Sequence, residues 1–114
     1  MAEYQTTPSD TFTLLEISGR IEPDNWHELN AIFTELTESD TVTNILVDLA
    51  GLEYTASAGF RELFMAGKKL ARKGGRLAVC SLNGEVKRVF EMAGFATAYP
   101  TFETRADAEP YFAV

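Results

Sequence analysis

The chain has 114 residues, a length that suits one domain and can build a core without disulfides or a metal. Its formal net charge of −7 argues against a nucleic-acid partner. It shows no secretion signal or apolar stretch long enough for membrane insertion, and Cys80 is its one cysteine, so we expect a cytoplasmic protein. Residues 1–40 carry nine acids against Arg20 alone, which predicts an acidic first helix.

The first half of the chain predicts two or three strands around one helix. Residues up to about Asp10 form either an edge strand or a loose segment. Partial alternation predicts a strand over 12–17, and a buried apolar run predicts another over 43–49. Between them, Pro23 and Asp24 are typical of a helix start. The apolar stripe of this helix comprises Trp26, Leu29, Phe33 and Leu36.

The second half alternates helices with short strands. Its elements, in order, are a helix from Ser57 to Gly74, a strand over 76–81, a helix closed by Gly94, a short strand over 97–99 and a helix over 104–112 that contains Pro110. This alternation predicts an α/β fold in a single domain spanning residues 1–114, with its core over about 10–113. We expect a mixed central sheet of four to five strands with about four helices.

The turn before the second helix is the strongest candidate for a functional site. It follows a buried strand, and sites in such folds lie beyond the carboxyl ends of strands. Ser57 stands where the helix begins, so its hydroxyl suits either of two roles. It can cap the helix, or it can accept a phosphate where free N–H groups and the helix dipole favour an anion. The residues alone leave both roles open.

Signatures of enzymes are nearly absent. The one histidine, His27, lies in the acidic helix, and no first glycine precedes Ser57 to form a nucleophile elbow. Asp48 and Glu53 lack a third residue at ligand spacing, so we expect no metal site and no cofactor. Asp48 is interpreted as a polar residue at a strand end. The basic residues over 68–76 surround a helix terminus without interleaved aromatics, which favours helix stabilisation over nucleic-acid binding.

Three segments together resemble the STAS domain, and in particular the bacterial anti-sigma factor antagonists. They are the strand and turn over 45–60, the strand that begins at Gly74-Gly75, and the helix over 86–95. The family motif Asp-Ser-Ser/Ala-Gly is matched by Ala56-Ser57-Ala58-Gly59. The family's Gly-x-Leu-Asp is matched by the residues over 19–22. The resemblance covers nearly the whole chain.

The resemblance implies a binding protein without catalytic residues. It implies that a serine kinase that is also an anti-sigma factor binds the unphosphorylated chain and phosphorylates Ser57, and that a serine phosphatase restores the hydroxyl. The partner-binding surface implied by the family comprises Glu22, Asp24, Glu53, Tyr54, Thr55, Ala56, Ala58, Gly59, Phe60 and Arg61. From the residues alone, Tyr54 and Phe60 suit either an apolar anchor for the partner or the core.

Ala56 stands where the family motif has an acid, and this departure motivates an alternative. The chain would then be a constitutive STAS interaction module, either a scaffold in stress signalling or the accessory subunit of a lipid-transporting ABC system. A small enzyme or nucleotide binder is a third hypothesis, with little support in the sequence.

Overall fold

The computed structural model describes residues 1–113, which form five strands and five helices. In chain order these are β1 (Ala2–Pro8), β2 (Thr13–Ile21), α1 (Trp26–Glu38), β3 (Asn44–Thr55), α2 (Ser57–Arg72), β4 (Arg76–Cys80), α3 (Gly84–Met92), α4 (Phe95–Ala98), β5 (Thr101–Phe102) and α5 (Arg105–Phe112). The predicted α/β class is confirmed, as is the mixed sheet, and the N-terminal segment is its edge strand.

The strands lie in the sheet in the order of the sequence, β1-β2-β3-β4-β5. β1 pairs antiparallel with β2, whereas every later neighbour is parallel. Parallel neighbours need a crossover, which α1, α2 and the α3–α4 pair supply in turn. The carboxyl ends of β2, β3 and β4 therefore meet at one edge of the sheet.

Each face of the sheet has its own hydrophobic core. Alternate residues of β3 show the division, because Ile45 and Val47 belong to the larger cluster and Leu46 to the smaller one. The larger cluster lies beneath α1 to α4 and includes the predicted α1 residues Leu29 and Phe33, with Trp26 and Leu36 packed at its margin. The smaller cluster lies beneath α5 and contains Cys80, which is fully buried.

Helix α1 begins later than the sequence predicts. Pro23 and Asp24 lie in a turn, and the first helical residue is Trp26. The Asn25 side chain explains the delay, because its Oδ1 accepts the Glu22 N–H at 2.7 Å and its Nδ2 donates to the Arg20 carbonyl at 3.0 Å. These bonds hold the turn in place of a first helical turn.

The predicted strand over 97–99 is wrong, because residues 95–98 form the short helix α4. Gly94 adopts a left-handed conformation with φ of 73°, which lets a new helical turn start directly after α3. The last strand of the sheet, β5, begins at Thr101, two residues after the end of the predicted strand, and pairs with β4.

The predicted C-terminal helix is present as α5. Its N-cap is Thr104, whose side chain accepts the Asp107 N–H at 3.1 Å.

Strand β3 extends to Thr55, six residues beyond the predicted end, so Asp48 lies within the strand and not at its end. The Asp48 side chain is 8% exposed. Its Oδ1 accepts the Ala50 N–H at 2.9 Å, and its Oδ2 accepts from Arg105 Nη2 at 2.9 Å. Arg105 also pairs with Glu16 at 3.1 Å. One guanidinium therefore ties α5 to both β2 and β3.

We predict that Arg105→Ala lowers the free energy of unfolding by about 1–2 kcal/mol, because it leaves the buried Asp48 carboxylate without its ionic partner, while the partial exposure of Arg105 limits the loss. The measurement is urea denaturation followed by circular dichroism. Arg88→Ala is the matched control, since Arg88 pairs with Glu85 on an exposed helix surface and we expect no measurable change. Equal losses in the two variants would contradict the prediction.

We predict that Cys80 is chemically inert in the folded protein. Burial raises the pKa of its thiol to about 11, so near pH ~8 the reactive thiolate is scarce and also covered. In the native protein, a chromogenic disulfide reagent should modify Cys80 only as fast as the chain unfolds. In denaturant, the same reagent should modify Cys80 at once. Rapid modification of the native protein would refute this.

Candidate partner-binding site

The ends of β2 and β3 bring two distant segments together. Ile21 is paired with Thr55 in the parallel register, and the Ala56 N–H donates to the Ile21 carbonyl at 2.7 Å. The turn over 22–25 therefore lies beside the start of α2. Residues that are more than thirty positions apart in the sequence share this edge of the sheet.

Ser57 is the first residue of α2, and its side chain is exposed. The interpretation of Ser57 as the helix cap is wrong, because the N-cap position is Ala56, which has no side chain able to cap. Within residues 1–113 the Ser57 hydroxyl makes no hydrogen bond. The first turn of α2 has no acidic residue, so no carboxylate of its own offsets the positive end of the helix.

Two of the predicted site residues are buried and hold the turn in shape. Thr55 Oγ1 donates to the Ala56 carbonyl at 3.0 Å. Gly59 packs against Thr55 so closely that a Cβ on Gly59 would collide with the Thr55 Oγ1. The Gly59 N–H donates to the Ala56 carbonyl at 2.9 Å. Thr55 and Gly59 therefore position the site without presenting side chains to a partner.

The structure separates the two aromatic candidates. Phe60 is half-buried and packs against Phe90, with ring centroids 4.5 Å apart, so it belongs to the margin of the core. Tyr54 is 39% exposed, and the Arg20 guanidinium lies over its ring at 4.6 Å. Of the two, Tyr54 is the one available as an anchor. Arg20 also pairs with the Glu22 carboxylate at 3.0 Å.

A second arginine, on α2, lies over the aromatic ring of an α1 residue. Arg61 is exposed, and its guanidinium lies 5.3 Å from the centre of the Trp26 ring. Sequence reasoning placed Trp26 only in the core, and it included Arg20 only within the segment over 19–24 that the family resemblance implied for partner binding. The one signal for Arg20 was its place inside the motif over 19–22, since its contact with Tyr54 depends on the strand register.

The other predicted residues lie around this centre. Asp24 and Glu53 are exposed, and Ala56 and Ala58 are half-buried beside Ser57. The candidate site thus combines an exposed hydroxyl, two arginine–aromatic pairs and exposed carboxylates. Such a surface suits the docking of a protein, because aromatic and arginine side chains are enriched in interfaces.

Neither a metal centre nor a membrane-spanning helix is visible in the part of the chain that the structure describes. Residues 1–113 contain no group of three or more His, Cys, Asp or Glu side chains arranged to hold a metal. Among the same residues, no helix is both long and apolar enough to cross a membrane.

Residues 2–108 match the family model of the STAS domain, so the chain belongs to the STAS domain family. The provisionally named anti-sigma factor antagonist BtrV of Bordetella bronchiseptica is 35% identical over 68 residues, which span 60% of this chain and 59% of BtrV. This chain thus aligns with less than two thirds of that relative.

Solved structures confirm the fold. The anti-sigma factor antagonist of Mycobacterium paratuberculosis superposes with a TM-score of 0.89 at 20% identity, covering 100% of this chain and 96% of the other. The phosphorylated form of the Bacillus cell fate determinant SpoIIAA superposes with a TM-score of 0.74 at 15% identity, covering 96% and 98%. At these identities the likeness extends to the fold alone.

We predict that Gly59→Ala lowers the free energy of unfolding by about 1–3 kcal/mol, because the added methyl group meets the Thr55 hydroxyl in a packed turn. Denaturant titration measures the loss. The double variant Thr55→Ala/Gly59→Ala should lose less than the two single variants together, since the colliding oxygen is gone. Strict additivity would show that this contact does not shape the turn.

Proposed function

We propose that this chain is an anti-sigma factor antagonist that binds a serine kinase/anti-sigma factor and is switched off by phosphorylation of Ser57. The names of BtrV and of the Mycobacterium paratuberculosis structure support the general role. The single observation that carries the switch is the exposed Ser57 hydroxyl, which makes no hydrogen bond within residues 1–113. In this proposal the chain catalyses nothing itself and acts in the cytoplasm as a single domain.

The phosphorylation has a simple chemical balance. The Ser57 Oγ attacks the γ-phosphorus of ATP, the bond to the ADP oxygen breaks, and the hydroxyl proton leaves to a base of the kinase. The partner phosphatase reverses the change by hydrolysis, in which water restores the hydroxyl and releases inorganic phosphate. Both steps need only that Ser57 be reachable, and its exposure supports this.

A phosphate at this position would block docking without unfolding the chain. It adds about −1.5 to −2 charges and three acceptor oxygens. Because the Ser57 side chain is exposed, the folded chain can carry the group in water. A docked partner would instead desolvate the phosphate, and an unpaired charge inside an interface costs about 2–5 kcal/mol.

The acidic side chains of the proposed kinase-binding surface favour a partner whose own docking surface is basic. Glu22 is half-buried, whereas Asp24 and Glu53 are exposed. Exposed α1 residues continue the acidic character, namely Glu28, Glu35 and Glu38. Electrostatic complementarity of this kind mainly sets the association rate and the choice of partner.

The second candidate function is the constitutive STAS module, as a signalling scaffold or the accessory subunit of a lipid-transporting ABC system. One observation favours it, namely Ala56, which places no carboxylate directly before Ser57. If the family acid takes part in phosphotransfer, its absence removes that step and leaves binding alone. The two functions differ in whether the partner responds to charge at Ser57.

We predict that Ser57→Asp weakens binding of the copurified kinase/anti-sigma factor at least about tenfold, whereas Ser57→Ala keeps it, because only the first adds a charge to the docking surface. Calorimetry on the purified partner measures both. Ser9→Asp is the matched control, since Ser9 is an exposed serine in the β1–β2 turn. Incubation with the partner and ATP should place phosphate on Ser57 by mass spectrometry.

Two outcomes would contradict this function. The first is phosphate only on other residues, or none at all. The second is a partner that binds Ser57→Asp and the unmodified chain equally. Recovery of a transporter ATPase together with the second outcome would establish the constitutive module instead.

A further inference from the structure

Arg61 follows Ser57 by four residues on the same exposed face of α2. Helical residues with this spacing are neighbours, and an acidic group that precedes a basic one by four positions forms the better ordered pair. From Tyr54 to Arg61 the guanidinium is the only charged group of the segment. A charge placed on Ser57 would therefore meet a cation of its own helix one turn away.

Arg61 is not committed to a carboxylate. The ion pairs within residues 1–113 involve Arg20, Arg88 and Arg105, and Arg61 takes part in none of them. Its guanidinium instead lies over the face of the Trp26 ring, 5.3 Å from the ring centroid. An exposed contact between a guanidinium and an aromatic ring is worth only about 0.5–1 kcal/mol, so an ionic partner can displace it. Arg20, by contrast, already pairs with Glu22.

We propose that Arg61 binds the phosphate carried by Ser57 and leaves Trp26 when it does so. The guanidinium fork matches two phosphate oxygens, and the pair forms within one helix. The modified chain thus neutralises part of the new charge by itself, and the docking surface changes at two places. A phosphate covers Ser57, and the ring face of Trp26 loses its cation. This inference rests on the proposed function, because it concerns the phosphorylated state.

The test uses the full chain with phosphoserine incorporated at position 57 by codon reassignment, so it needs no kinase. Phosphorus NMR measures the second pKa of the phosphate. We expect this pKa to be about half a unit lower in the parent chain than with Arg61→Gln, and the difference to shrink in high salt. Arg61→Lys should keep part of the shift, since it keeps the charge and loses the fork.

Trp26 supplies a second readout, because it is the only tryptophan of the chain. Its fluorescence should change between the serine and phosphoserine forms of the parent chain but not of Arg61→Gln. His27 stacks on Trp26 with ring centroids 3.9 Å apart, so a change in this stack would also alter the fluorescence. The spectra are therefore compared at a fixed pH of about 8, and the titration is repeated in a His27→Gln background.

Arg72→Gln is the matched control, because Arg72 is an exposed arginine at the far end of the same helix. It should leave both readouts as in the parent chain. Equal phosphate pKa values in the parent, Arg61→Gln and Arg72→Gln chains would overturn the inference and leave the antagonist function standing. Failure of that function would appear separately, as unchanged partner binding by the phosphoserine chain.

Discussion

One backbone hydrogen bond, from the Ala56 N–H to the Ile21 carbonyl, closes the parallel pairing of β2 and β3 at the edge where the site lies. Through it the turn after β2 and the first turn of α2 form a single surface. The acidic residues of the turn, the Arg20–Tyr54 contact and the exposed Ser57 depend on that register. A slip of one residue would turn every side chain of the strand end to the opposite face of the sheet.

The segment from β3 into α2 divides its residues between two tasks. Thr55 and Gly59 face inward and lock the turn through close backbone contact. Tyr54, Ser57 and Arg61 are exposed and belong to the candidate partner-binding site. Small residues at the inward positions let the helix approach the strand, so the outward side chains stand on a rigid base. Precision at a binding surface commonly comes from such supporting contacts.

Much of the fold could be predicted because burial dictates periodicity. The apolar stripe of α1 and the continuous apolar run in β3 both correctly predicted residues that are buried. The errors lie where tertiary contacts prevail over local pattern. The bonds of Asn25 delay α1, and the left-handed Gly94 starts α4 where alternation had indicated a strand. After Asp48, β3 continues through two register shifts in its pairing with β2, and no apolar run in the sequence indicates this part of the strand.

For the site, motif order placed Ser57 at the start of a helix, and the structure shows that side chain exposed. Sequence reasoning could not decide between Tyr54 and Phe60, since both follow the strand predicted over 43–49 and only their packing separates them. It also missed the contacts of Arg20 with Tyr54 and of Arg61 with Trp26. Each joins residues more than thirty positions apart, and only the pairing of β2 with β3 and the packing of α1 on α2 bring them together.

The close contact between Gly59 and Thr55 has a consequence for how an enzyme would recognise this serine. Many protein kinases bind an extended, unstructured peptide in a groove. In the proposed phosphorylation, the acceptor hydroxyl belongs to a helix that is held against a strand, with neighbours contributed by a remote turn. The modifying enzyme must therefore read a three-dimensional epitope, and a synthetic peptide spanning residues 50–64 would lack most of what it reads.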